Sequence, residues 1–196
     1  IARGLLRLRY RPYVLLATEQ VEAWEAELYR PAHEDREEEL ISEASLEEGL
    51  AQQLFRHLID QACRAFQQGI ELRRPSELLV VRISQRHLMG ATAVTSVATA
   101  LERSGLAPER LEVDVTASGN ISDPVALVEP LLQLHHLGVR LSLSSSATTS
   151  LPLEYLPHLP VSSMTLPEPI WRQSMEDPKT ASLCEGLIAL AERLAG

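Results

Sequence analysis

The densest run of side chains able to do chemistry is Ser144-Ser145-Ser146-Ala147-Thr148-Thr149. It follows a strand-like stretch, Gly138–Leu143, and a parallel α/β protein carries its reactive groups at that end of a strand. A serine nucleophile in such a fold needs a Gly-x-Ser-x-Gly turn, which is absent, and there is no glycine-rich phosphate loop. The six histidines (His33, His57, His87, His135, His136, His158) have no metal-ligand spacing. His135-His136 end a helical pattern just before Gly138, where a cation complements the helix dipole. Arg7, Arg9 and Arg11 share one face of a strand pattern. They read either as a phosphate-binding strip or as a solvated face paired with the acidic segment 34–48. Trp24 and Trp171 are candidate interface anchors, with core packing as the plainer role.

These groups need a scaffold, and the pattern along the chain supplies one. Arg3–Leu16 alternates Leu6, Leu8 and Tyr10 with the three arginines, which predicts a strand; Val21–Arg30 predicts a second. Pro31–Glu48 is rich in Glu and Asp and reads as a solvated loop with a short helix. Over Leu50–Gln68, Leu54, Leu58, Ala62, Cys63 and Phe66 fall on one stripe of a helix. The run Leu78–Ile83 is almost continuously apolar, as in a parallel strand buried on both sides. Helix Val94–Ser104 closed by Gly105, strand Leu111–Thr116, a helix opened by Asp123-Pro124 and closed by Gly138, and strand Val139–Leu143 follow. A short helix at Leu151–Leu156, a strand at Val161–Leu166 and a helix from Asp177-Pro178 to Leu194 complete the series. Six strands alternating with helices predict an α/β fold with a largely parallel sheet.

Composition narrows the function. With 196 residues and 45% hydrophobic content, the chain suits one domain with a substantial core. Eighteen Lys and Arg against 27 Asp and Glu give a formal charge of −9, which disfavours nucleic acid as a partner while leaving room for one small anionic ligand. Cys63 and Cys184 lie in helical patterns without a C-x-x-C pair, as expected of buried reduced thiols in the cytoplasm. No run approaches the ~18 apolar residues of a membrane span.

Several stretches resemble the EAL domain family, which hydrolyses cyclic di-GMP. Arg9-Tyr-Arg-Pro12 is similar to its first-strand Tyr-Gln-Pro, and Trp24-Glu-Ala-Glu-Leu-Tyr-Arg30 resembles the signature Phe-Glu-Ala-Leu-x-Arg-Trp. Val81-Arg-Ile-Ser-Gln-Arg-His-Leu88 resembles Val-Asn-Leu-Ser-Ala-Arg-Gln-Leu, and Ser104–Thr116 is similar to Thr-Gly-Leu-x-Pro-x-x-Leu-x-Leu-Glu-Ile-Thr. Leu137–Leu143 and Leu156–Val161 continue the likeness. The resemblance implies a variant (β/α) barrel of TIM type with its site at the C-terminal strand ends. It also implies that residues 1–196 form a single EAL-like domain, incomplete at about six strands, without the last two βα units of the family.

The resemblance also assigns positions. Glu25 matches the signature glutamate; with Glu27 read as an insertion, Leu28 and Arg30 match the residues that hold base and phosphate, and Arg11 stands for the glutamine before the proline. Arg82 stands where the family has a metal-ligating asparagine, and a guanidinium cannot ligate Mg²⁺. Asp114 replaces a ligand glutamate, Ala117 a further glutamate, Ser144 and Ser145 two aspartates, and Thr165 a lysine. These positions are therefore read as vestigial, with Arg82 expected to fill the metal position and pair with Asp114, Glu25 being a further candidate partner; the alternative is that Arg82 points out to solvent from the strand end. The implied domain is not an enzyme and uses no cofactor; it acts in bacterial cyclic di-GMP signalling by docking a protein partner or by self-association as a homodimer. The alternative is a metal-independent cyclic di-GMP receptor using Arg11, Leu28 and Arg30, and a third reading is a slow phosphodiesterase using Glu25 and Asp114.

Overall fold

The structure, a computed structural model, describes residues 6–15, 18–30, 39–40, 48–69, 74, 76–116, 124–144, 157, 159–166 and 168–195. Strand β1 (Arg7–Leu15) runs antiparallel to β2 (Gln20–Arg30), and a two-residue strand β3 (Glu39–Leu40) pairs with the far side of β2. Helix α1 (Glu48–Gln68) leads into β4 (Leu78–Ser84), which lies parallel to β2. Helices α2 (Gln85–Leu88) and α3 (Ala93–Ser104) precede β5 (Leu111–Thr116), and α4 (Val128–His136) precedes β6 (Arg140–Ser144). Strand β7 (Ser163–Thr165) is followed by α5 (Glu168–Ser174) and α6 (Pro178–Ala195). The sheet order is β1-β2-β4-β5-β6-β7, parallel from β2 onward, with β3 off this path.

Strand alternation sorts the sheet into two unlike faces. Leu79, Val81 and Ile83 of β4, Leu111, Val113 and Val115 of β5, and Leu141 and Leu143 of β6 join the buried core under the helices. Between them, Arg82, Glu112, Asp114, Ser142 and Ser144 fall on the opposite face. Helix α1 buries Leu54, Phe55, Leu58, Ile59, Ala62, Cys63 and Phe66 and packs on α3. Each such side chain contributes about 1.5–3 kcal/mol when fully buried. Helix α3 ends at Gly105, whose φ of 69° gives the left-handed C-cap. Asp177 caps α6: its carboxylate accepts from the Thr180 amide at 3.1 Å.

Several boundaries differ from the expectations. The acidic segment contributes β3, while the short helix expected in it and the one expected at 151–156 lie outside the described residues. The helix expected from Asp123-Pro124 begins instead as a 3₁₀ turn over Pro124–Leu127 and becomes α-helical at Val128. Helix α5 was not anticipated; at seven residues it is too short to show a periodicity.

Candidate functional site

The C-terminal ends of the strands open onto a cleft of ≈ 560 Å³ on the polar face of the sheet. Its floor is set by register. Arg82 on β4 is the direct neighbour of Asp114 on β5, Asp114 is opposite Ser142 on β6, and Ser144 is opposite Thr165 on β7. Arg82 lies at the centre. Its Nη1 is 2.8 Å from Glu25 Oε1, its Nε donates to Asp114 Oδ2 at 3.1 Å, and its Nη2 donates to the Tyr13 hydroxyl at 3.2 Å. Tyr13 in turn donates to Glu25 Oε2 at 3.1 Å. Ser142 Oγ and Thr165 Oγ1 donate to Asp114 Oδ1 at 3.2 and 3.1 Å.

Burial makes this network matter. Glu25 and Asp114 are 1% and 0% exposed, whereas the Arg82 side chain is 43% exposed. A buried carboxylate is stable as an anion only where donors replace water, and Arg82 and the hydroxyls are those donors. Burial, reinforced by Glu27, still holds the Glu25 carboxyl above its ordinary pKa, although Arg82, Tyr13 and Arg11 pull the other way. Burial likewise raises Tyr13, with the Glu25 charge beside it. Arg82 is held above its ordinary pKa: burial opposes its charge, and the Glu25, Tyr13 and Asp114 side chains outweigh that cost.

The arginine strip of β1 finds a partner on β2. Arg9 Nε and Arg11 Nη2 lie 2.8 and 2.9 Å from the buried carboxylate of Glu27 on β2, while the side chains of the acidic segment lie outside the described residues. The pairing of β1 with β2 continues without a bulge from Arg7↔Tyr29 to Tyr13↔Ala23. Strand β2 accommodates Glu27 without a bulge, and Glu27 stands on the cleft face two residues after Glu25. Leu28 is turned to the other face and is 5% exposed in the core, so the structure removes it from the ligand candidates. Arg30 ends β2 with its side chain outside the described set, and Ser145 and Ala117 lie outside the described residues. Trp24 is no interface anchor: its indole donates to Glu77 at 2.8 Å and packs on the core. Tyr13 and Glu27 were not read as site residues, and Trp171 was read as an interface anchor rather than as part of the cleft. The first two were detectable as odd-numbered neighbours of Arg11 and Glu25.

The described donors do not fit a pair of divalent ions. Glu25 and Asp114 share one guanidinium, the remaining oxygens nearby are hydroxyls, and no three His, Cys, Asp or Glu side chains are grouped to hold a metal among the described residues.

The EAL domain family model matches residues 1–195. The chain belongs to the EAL domain family. It is 29% identical over 146 residues to the bifunctional diguanylate cyclase/cyclic di-GMP phosphodiesterase MucR of Pseudomonas aeruginosa, matching 74% of this chain and 21% of that protein. It is 29% identical over 197 residues to the cyclic di-GMP phosphodiesterase NbdA of the same species, matching 96% of this chain and 24% of that protein. The chain thus spans about a quarter or less of these curated relatives. The solved PaMucR phosphodiesterase in complex with c-di-GMP superposes with a TM-score of 0.85 at 27% identity, covering 98% of this chain and 78% of that one.

As an EAL domain the chain is placed in cyclic di-GMP signalling, and its fold is the TIM-like barrel type of the family. The relatives correct one expectation: that the chain is not an enzyme. The relatives named here are a bifunctional diguanylate cyclase/cyclic di-GMP phosphodiesterase and a cyclic di-GMP phosphodiesterase. Two buried carboxylates remain at the strand ends, with the partly exposed Arg82 between them. No described helix is long and apolar enough to cross a membrane.

Proposed function

We propose that this EAL domain recognises cyclic di-GMP in the cleft at the strand ends, and that Arg82 and Arg11 take its phosphates without a divalent ion. The observation that carries this reading is the position of Arg82: a guanidinium 43% exposed at the cleft centre, backed by two buried carboxylates. Arg11, half exposed, adds a second guanidinium on the same cleft. Guanidinium pairs with phosphate through two parallel N–H···O bonds, and a half-exposed one has donors left to offer. The ligand is a dianion. It competes with Glu25, Glu27 and Asp114 for the same cations, so recognition involves partial release of those internal pairs. Binding of cyclic di-GMP in EDTA, weakened by Arg82→Ala and Arg11→Ala, is the expected outcome. Equal affinity in those variants would contradict the proposed role of the guanidiniums.

A second reading is phosphodiester hydrolysis, the activity named for both relatives, with Glu25 and Asp114 as the carboxylates at the reacting phosphate. It is favoured by the persistence of these two buried acids at adjacent strand ends. Release of linear pGpG above the level of a Glu25→Ala control, assayed with Mn²⁺, supports it; equal rates count against it. Contact with a protein partner or a second copy is supported by the exposed Met175, Leu183 and Ile188 around α6, and light scattering across a concentration series tests self-association.

A further inference from the structure

The cleft has one wall that the ion-pair network does not account for. Trp171, on α5, lines it together with Arg11, Arg82 and Asp114, and the residue is 50% exposed. Helix α5 holds it at the rim: Ser174 Oγ donates to the Trp171 carbonyl at 2.7 Å, closing the last turn. Leu166 adds an aliphatic side chain to a lining otherwise made of charged, hydroxyl and phenol groups. A large indole facing an open polar cleft gains only when a flat apolar surface covers it. Guanidiniums beside an exposed indole match a nucleotide: the cations take phosphate, and the ring takes the base.

We propose that Trp171 is the base-stacking residue of this cleft and that it selects a purine-bearing phosphodiester over a phosphodiester without bases. This rests on the reading that the cleft binds cyclic di-GMP. Stacking of one base on an aromatic ring corresponds to about a ten- to hundredfold change in affinity.

The sequence has two tryptophans, and Trp24 is bonded to Glu77 away from the cleft, so Trp171 is a built-in reporter. Cyclic di-GMP is titrated into the whole chain twice, once by calorimetry for affinity and once by tryptophan emission for contact. The expected result is saturable quenching that Trp171→Leu abolishes, with affinity about ten- to hundredfold weaker in that variant and largely kept in Trp171→Phe. Saturable heat with unchanged emission, and with Trp171→Leu binding as tightly as the parent, overturns the stacking role while leaving the recognition of the ligand intact. Absence of heat in the parent chain overturns the underlying reading, and the stacking role with it.

Discussion

Arg82 decides the character of the site. It holds two buried carboxylates at 2.8 and 3.1 Å, so its removal leaves both without their main donor. Because water can reach the vacated space, Arg82→Ala is expected to cost about 1–3 kcal/mol, measurable by urea denaturation. Protonation offers a second handle. Burial holds the Glu25 carboxyl above its ordinary pKa, so acidification neutralises it more readily than an ordinary glutamate and loosens its hold on Arg82. Affinity for cyclic di-GMP is therefore expected to rise as the pH falls from neutrality toward 5, and Glu25→Gln to flatten that dependence; an affinity that falls in the parent contradicts the coupling. Burial acts in the same direction on Cys63: with Asp60 adding to it, it pushes the thiol up to about 12. At pH 8 its thiolate fraction is then about 10⁻⁴, so maleimide is expected to label Cys63 only after denaturation. Of the site, Arg82, Asp114 and Glu25 were legible as residue types at matched positions. Glu27 was not, because the resemblance gave that position no role in the site.

At the scale of elements, the strands were the legible part. Apolar runs and alternation marked β1, β2, β4, β5 and β6 to within a few residues, since burial on one or both faces writes directly into sequence. Turn glycines were legible for the same kind of reason. Gly105 and Gly138 have φ of 69° and 87°, a region costly for any residue with a Cβ. A Cβ on Gly105 would meet nothing within 4 Å, whereas one on Gly138 would lie 3.2 Å from Pro108 Cβ. Gly105→Ala is thus expected to cost about 1–2 kcal/mol from backbone strain alone, and Gly138→Ala more, as read from denaturation midpoints. Short elements escaped notice: β3 has two residues and α5 seven, and neither carries a period. That matters because α5 brings Trp171 to the cleft.

Taken whole, the molecule separates stability from recognition across one sheet. The helix side is dry and apolar, with Phe55 and Phe66 at 0% exposure, and Phe55→Ala is expected to cost about 3–5 kcal/mol without touching the cleft. The other side balances the acids Glu25, Glu27 and Asp114 against Arg9, Arg11 and Arg82, within a chain of formal charge −9. No overall positive field would draw an anionic ligand in, so the proposed recognition is expected to rest on these few guanidiniums and to weaken as salt screens them. The most direct test of this account is calorimetric titration of cyclic di-GMP in EDTA into the parent chain and Arg82→Ala. The account predicts saturable heat in the parent and affinity at least tenfold weaker in the variant. No heat in the parent, or equal affinity in the two, would contradict it.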